Sequence, residues 1–190
     1  MSKFFIVLLI FISLTAYAQK NNMDYDHVFK KYSKRYFGPG FDWKVFKAQG
    51  IAESGLSPVA ESRVGAKGIM QLMPTTFDEI KSRNPELAVI DDPEWNIAAG
   101  IYYDRQLWRY WQERLDEHEN KFFTFASYNA GLGTIQKAQS KAKEKNLDFN
   151  SWIIIQQIAP EVPRWRHKET IDYVAKIDSF HVLLLKPIKK

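Results

Sequence analysis

The sequence predicts an all-α protein with one globular domain. Apolar residues recur at intervals of three and four, which gives a helix one apolar face, and proline or glycine stands at the predicted helix ends. The segments between these helices leave no room for a sheet of any size. A single domain follows from a length of 190 residues with no internal repeat and no linker rich in Pro, Gly and Ser.

The first strongly apolar helix carries an acid on its apolar face. The residues of this face are Trp43, Phe46, Gly50 and Glu53. Gly55, with Pro58 shortly after it, ends the helix. Glu53 is therefore predicted near the end of a helix, at the edge that faces the core.

Further segments complete the helical pattern. One helix begins at Pro74, and a long one begins at Pro93, after the capping Asp92, and extends to about His118. The apolar face of the long helix consists of Ile97, Ile101, Trp108, Trp111 and Leu115. The last helix has an apolar face made of Tyr173, Ile177, Phe180 and Leu184. Residues 152–155 form either a strand or a short buried helix, because periodicity does not separate the two over so short a run.

Composition limits the class of protein. The chain is 45% hydrophobic and 15% aromatic, which is enough apolar surface for a core and argues against disorder. With no cysteine, disulfides, thiolate metal sites and cysteine nucleophiles are excluded. A net charge of +5 suits an anionic partner, such as nucleic acid, a membrane surface or a cell-wall polymer, and charge alone does not choose among them.

Residues 1–18 have the pattern of a cleaved signal peptide. Lys3 precedes an apolar run that is shorter than a membrane-spanning helix, and Ala16 and Ala18 form an A-x-A cleavage pattern. We expect a mature domain of residues 19–190, located in the periplasm, on the cell surface or secreted. Export argues against a nucleic-acid partner, whereas an uncleaved membrane anchor and weak membrane association stay open as alternatives.

Most kinds of catalytic site are absent from the sequence. The four histidines show no zinc-ligand spacing, and there is no G-x-S-x-G, no S-x-x-K and no glycine-rich phosphate loop. We therefore expect neither a metal nor a cofactor. What remains is carboxylate chemistry, and the segment 48–74 is notable because it is rich in Gly, Ser and apolar residues and holds only two acids, Glu53 and Glu61.

Glu53 has the environment that a general acid needs. It follows a run of apolar residues, and desolvation there disfavours the anion and raises the pKa of the carboxyl. A carboxyl that is neutral near pH 7 can protonate a glycosidic oxygen and, once ionised, can take a proton back. The structural alternative is a glutamate that only caps the helix end or forms a salt bridge.

Five ordered motifs add a family resemblance. They are Glu53-Ser54, then Gly65-Ala66-Lys67-Gly68-Ile69-Met70-Gln71-Leu72-Met73-Pro74, then Asn96-Ile97-Ala98-Ala99-Gly100, then Ala126-Ser127-Tyr128-Asn129-Ala130-Gly131, and finally Glu169-Thr170 with Tyr173-Val174. Over about residues 40–180 the chain resembles the soluble lytic transglycosylases, which share a goose-type lysozyme-like fold. The arrangement is most similar to the catalytic module of the membrane-bound type F enzymes.

The resemblance implies a mechanism and a set of site residues. Glu53 matches the single catalytic acid/base, which protonates the oxygen between N-acetylmuramic acid and N-acetylglucosamine and then deprotonates the muramyl C6 hydroxyl, so that a 1,6-anhydro ring closes without water. The positions that match substrate-binding residues are Ser54, Ser62, Gln71, Met73, Tyr128, Asn129, Glu169 and Tyr173. The implied partner is the peptidoglycan glycan strand, which we expect a monomer to bind.

Several residues have a structural interpretation beside the functional one. Met70 is expected in the core and Gln71 in the sugar cleft, whereas Tyr128 is expected to contact Glu53. Trp165, between two arginines, is open to both packing and sugar stacking at the surface.

Two other functions fit the same motifs. A muramidase would hydrolyse the same bond with water, and Glu61, Asp78 or Glu79 would then have to help position that water. The chain could also be a non-catalytic peptidoglycan-binding protein that descends from an enzyme and has lost its activity. The presence of Glu53 and Tyr128 argues against such a loss.

Overall fold

The computed structural model describes residues 25–186, and within them the chain is helical. The helices are α1 (Asp26–Phe37), α2 (Lys44–Ser54), α3 (Pro74–Arg83), α4 (Pro93–Gln112), α5 (Glu117–Ala130), α6 (Leu132–Glu144), α7 (Trp152–Ile158), a 3-10 turn (Ala159–Glu161) and α8 (His167–Leu185). Extended pairing in this range is confined to isolated bridges within residues 61–72. The predicted all-α class is confirmed.

The predicted signal peptide, residues 1–18, lies outside the described residues. Within residues 25–186, none of the helices combines the length and the apolar character needed to cross a bilayer.

Helix α2 is the buried central element. Residues 45–50 are all buried, and the helix packs along α8 and against α1. Gly55 ends it in the left-handed conformation, at φ 64°, where its N–H bonds back to the carbonyls of Gly50 and Ile51. The predicted end of this helix is confirmed, and Glu53 is held on a rigid, largely buried support.

Helix α3 begins at Pro74, as predicted, and α4 begins at Pro93 with Asp92 as its N-cap. The carboxylate of Asp92 accepts hydrogen bonds from the next two free backbone N–H groups, at 2.8 and 3.1 Å. The prediction that α4 extends to about His118 is wrong, because the helix ends at Gln112. Asp116 caps a new helix by accepting from Glu119 N at 2.9 Å, so His118 belongs to α5.

The segment that was open between strand and helix is the helix α7, with Trp152, Ile155 and Ile158 buried. It joins a core in which Trp111, Phe123 and other apolar side chains are fully buried. Helix α8 packs along α2, and α5 packs against both α4 and α8, so that residues from distant parts of the chain meet near the end of α2.

Candidate active site

The loop of residues 55–73 folds back over the end of α2. Gly68, at φ 76°, approaches α4 so closely that a Cβ there would lie 2.4 Å from Asn96 Nδ2. The Asn96 side chain donates to Lys67 O and Ile90 O, at 3.0 and 3.1 Å, and accepts from Met70 N at 2.8 Å. The buried side-chain amide of Asn96 therefore anchors the loop, through Lys67 and Met70, and also the segment that precedes α4, through Ile90.

A second tie joins the loop to α2. The Ser54 hydroxyl donates to Ile69 O at 2.9 Å, next to Glu53 in the chain. Met70 is fully buried against Gly100 of α4, which confirms its predicted place in the core. The carboxyl of Glu53 thus lies beside a loop that hydrogen bonds from α2 and α4 hold in place.

Glu53 is partly buried and has one hydrogen-bond donor among the described side chains. The Tyr173 hydroxyl, from α8, donates to Glu53 Oε1 at 2.5 Å. Burial raises the pKa of Glu53 to about 7, and the hydrogen bond from Tyr173 opposes the rise. Near neutral pH the Glu53 carboxyl is therefore partly protonated, so it can both donate and accept a proton.

Tyr128 lies near this carboxyl but does not bond to it. Its hydroxyl donates to Met70 O at 2.8 Å. Burial raises the pKa of Tyr128, and the charge of Glu53 raises it further. The expected contact with Glu53 is therefore not a hydrogen bond, because the Tyr128 hydroxyl donates to the Met70 carbonyl and Tyr173 is the donor to Glu53.

Asn129 links α5 to α8 beside Tyr128. Its Oδ1 accepts from the Thr170 hydroxyl at 2.8 Å, and Thr170 accepts from Trp165 Nε1 at 2.9 Å. Trp165 is only 8% exposed, so it packs inside the fold and does not offer a stacking surface. The chain of three side chains fixes the beginning of α8, which carries Tyr173.

The other predicted residues lie around the loop and the beginning of α8. Ser62 Oγ accepts from Ala66 N at 2.9 Å and so shapes the loop. Gln71, at φ 46°, donates to Ala60 O and Gly68 O at 3.2 and 2.9 Å, so its amide is used inside the loop. Met73 is 39% exposed at the beginning of α3. Glu169 is exposed and pairs with Arg166 at 2.9 Å, one turn before Tyr173.

Sequence reasoning missed two buried residues near the site, Gln49 and Asp104, which bond to each other in the interior. Thr170 belongs to the last sequence motif, but that motif did not predict its hydrogen bonds to Trp165 and Asn129. Asp104 carried a detectable signal, since it is an acid spaced three residues from Ile101 on the apolar face of α4.

A cavity of about 730 Å³ lies at the opposite end of α2 from Glu53. Phe41, Trp108 and His181 are among its lining residues, and Glu53 is not. The site at Glu53 is instead defined by a partly buried carboxyl between a loop and two helices.

A family model described as the transglycosylase SLT domain matches residues 28–150. The chain belongs to the SLT domain family. The match includes Glu53, the loop and Tyr128, and it ends before α8 and Tyr173.

Curated relatives are similar in sequence to more than half of this chain. A membrane-bound lytic murein transglycosylase F from Desulfosudis oleivorans is 36% identical over 123 residues, which cover 64% of this chain and 26% of the relative. A protein of the same name from Vibrio cholerae is 30% identical over 141 residues, which cover 74% of this chain and 24% of the relative. The chain spans about a quarter of the length of these curated relatives.

A solved structure supports the SLT domain fold. The lytic transglycosylase Slt from Pseudomonas aeruginosa, an inactive Glu-to-Gln variant, is similar with a TM-score of 0.67 and 25% identity. The similarity covers 85% of this chain and 24% of that chain. The lysozyme-like all-α fold implied by the sequence motifs is confirmed.

Tyr173 is expected to tune the ionisation of Glu53 in this SLT domain. Replacing Tyr173 by Phe keeps the ring and removes the hydrogen bond that stabilises the carboxylate, so the pKa of Glu53 should rise above 7 by about 1 unit. Carboxyl ¹³C NMR titration of Glu53 measures this directly. Tyr128→Phe is the matched control, since that hydroxyl donates to Met70 O, and an equal shift in both variants would contradict the assignment.

Proposed function

We propose that the protein is a peptidoglycan lytic transglycosylase with Glu53 as its single general acid/base. The observation that carries the proposal is the partly buried Glu53 carboxyl with the Tyr173 hydroxyl 2.5 Å from its Oε1. This burial raises the pKa of Glu53 to about 7. A carboxyl of this pKa can serve both as an acid and, after it has given up its proton, as a base.

The proposed reaction leaves Glu53 protonated again at its end, because the proton it gives to the leaving oxygen is replaced by the proton of the muramyl C6 hydroxyl. Glu53 protonates the glycosidic oxygen as the bond from that oxygen to muramyl C1 breaks. The Tyr173 hydrogen bond stabilises the Glu53 carboxylate so formed. The muramyl C6 hydroxyl then attacks C1 and gives its proton to Glu53, which closes the 1,6-anhydro ring and consumes no water.

The positions of the other acids favour this reaction over hydrolysis. A muramidase would need Glu61, Asp78 or Glu79 to help position the water, and all three are exposed. Asp104 is near Glu53, but it is fully buried and bonded to Gln49, so it has no access to a water at the substrate. Of the described carboxyls near the loop, Glu53 is the one that is both partly accessible and raised in pKa.

The substrate and the compartment follow from the same proposal. The relatives are named as murein transglycosylases, and a Glu-to-Gln variant of the Pseudomonas aeruginosa enzyme is inactive. We therefore take peptidoglycan glycan strands as the substrate of this chain. Their location requires export of residues 19–190, in agreement with the signal-peptide pattern of residues 1–18.

The deciding experiment is mass spectrometry of the muropeptides that the purified protein releases from peptidoglycan in H₂¹⁸O. Transglycosylation should give anhydromuramyl ends without ¹⁸O, because water is not a reactant. Reducing ends that carry ¹⁸O would make the protein a muramidase. Binding to peptidoglycan without release of any fragment would contradict both enzymatic functions.

A further inference from the structure

Gln49 and Asp104 form an isolated polar pair in the interior. Both side chains have no exposed surface, and Gln49 Nε2 donates to Asp104 Oδ1 at 3.2 Å. The remaining oxygens, Gln49 Oε1 and Asp104 Oδ2, are buried and have no hydrogen-bond partner among the described residues. Buried polar atoms of native proteins are rarely left unpaired, so these two call for an explanation.

One proton accounts for both oxygens. An ionised aspartate only accepts hydrogen bonds, whereas a protonated aspartate has an O–H donor. A proton on Asp104 Oδ2 supplies the donor that Gln49 Oε1 lacks. With that O–H donating to Gln49 Oε1, the acid and the amide would pair through two hydrogen bonds in a ring, and both of the unpaired oxygens would have a partner.

The charges around Asp104 agree with a neutral acid. Burial raises the pKa of Asp104 well above its ordinary value and the charge of Glu53 raises it further, whereas the hydrogen bond from Gln49 lowers it by less than burial raises it. The other titratable groups within its electrostatic reach are phenols that ionise to anions, Tyr103 on α4, Tyr128 on α5 and Tyr173 on α8. Among residues 25–186, Asp104 has no salt bridge to a basic side chain that would stabilise its anion.

The pair lies directly before the proposed acid/base on α2. Gln49 and Glu53 are four residues apart and therefore on the same face of the helix. Asp104 comes from α4, so the pair joins the two helices one turn below Glu53.

We propose that Asp104 is a positioning residue which, as an uncharged acid, closes a ring of two hydrogen bonds with Gln49 and so maintains the dry, singly charged environment in which Glu53 exchanges its proton. The ring ties the face of α2 that carries Glu53 to α4, and it gives the buried Gln49 carbonyl oxygen a partner, so that this oxygen does not draw water inward. Because Asp104 stays neutral, the carboxylate of an ionised Glu53 is not repelled by a second negative charge at Asp104. The link to catalysis rests on the proposed function, whereas the protonation of Asp104 does not.

The test is carboxyl ¹³C NMR titration of the full chain, which needs no substrate. In the wild type, Asp104 should keep the shift of a protonated acid through pH 7, while Glu53 titrates at about 7. Asp104→Asn offers an N–H in place of the O–H and preserves the ring, so it should change the pKa of Glu53 by less than about 0.3 units. Asp172→Asn, at an exposed site on α8, is the matched control.

An apolar replacement separates positioning from simple packing. Asp104→Leu leaves the Gln49 amide unpaired, and the water it admits should lower the pKa of Glu53 by about 0.5–1 unit. If the protein is catalytically active, the alkaline limb of its pH–rate profile should move to lower pH in Asp104→Leu, together with the pKa of Glu53. In Asp104→Asn the limb should not move.

Two results would overturn the proposal. One is an Asp104 carboxylate in the wild type at pH 7. The other is a fall of about 1 unit or more in the pKa of Glu53 in Asp104→Asn, since that would mean that a negative charge had been removed. Both results come from NMR titration of the wild type and Asp104→Asn, so the test does not depend on whether Asp104→Leu folds. Absence of anhydro products with the expected titrations would refute the proposed function and leave the ring intact.

Discussion

Replacing Glu53 by Gln should lower the rate of muropeptide release by about 10²- to 10⁴-fold. A glutamine amide cannot give a proton to the glycosidic oxygen, whereas its Oε1 can still accept the Tyr173 hydrogen bond. The fold and the glycan affinity should therefore be retained. Initial rates of release from purified peptidoglycan, together with a binding assay on the same material, measure the two effects separately.

The matched control for this change is Glu144→Gln. Glu144 is the last residue of α6, so it also lies at the end of a helix, but it is exposed. Its replacement should leave the rate within about twofold, since single surface substitutions have small effects. Retention of most of the activity in Glu53→Gln would rule out Glu53 as the acid/base.

Gly68→Ala should have the largest effect on stability. The new Cβ would lie 2.4–2.8 Å from three atoms of the Asn96 side chain, and the residue would keep a φ of 76° that disfavours any side chain. Asn96 cannot move away without losing its three hydrogen bonds to the loop and to Ile90. We expect a loss of about 3–5 kcal/mol in the free energy of unfolding, measured by chemical denaturation.

Gly65→Ala separates backbone strain from collision. Gly65 has a similar φ of 85°, but a Cβ there would meet nothing within 4 Å. Its cost should be about 1 kcal/mol, from the left-handed conformation alone. Equal losses in the two variants would mean that the contact between Gly68 and Asn96 contributes nothing.

The helical class and most helix ends could be read from the sequence because they depend on neighbouring residues. Gly55 ends α2 and Pro74 begins α3 through local backbone geometry. The end of α4 was misjudged because apolar spacing continues to Leu115, beyond the last helical residue. The cap formed by Asp116 competes successfully with that pattern.

The sequence by itself also determined where the candidate acid lies, since Glu53 follows an apolar run and precedes a helix-ending glycine. Only the tertiary structure decided which groups surround it. Tyr173 reaches Glu53 across 120 residues of chain, Tyr128 turns its hydroxyl to the loop carbonyl, and Asp104 meets Gln49 inside the core. Periodicity shows which face of a helix is buried. The direction of a hydroxyl or the protonation of an acid depends instead on the helix that packs against that face. Packing brings together residues that no local sequence pattern relates.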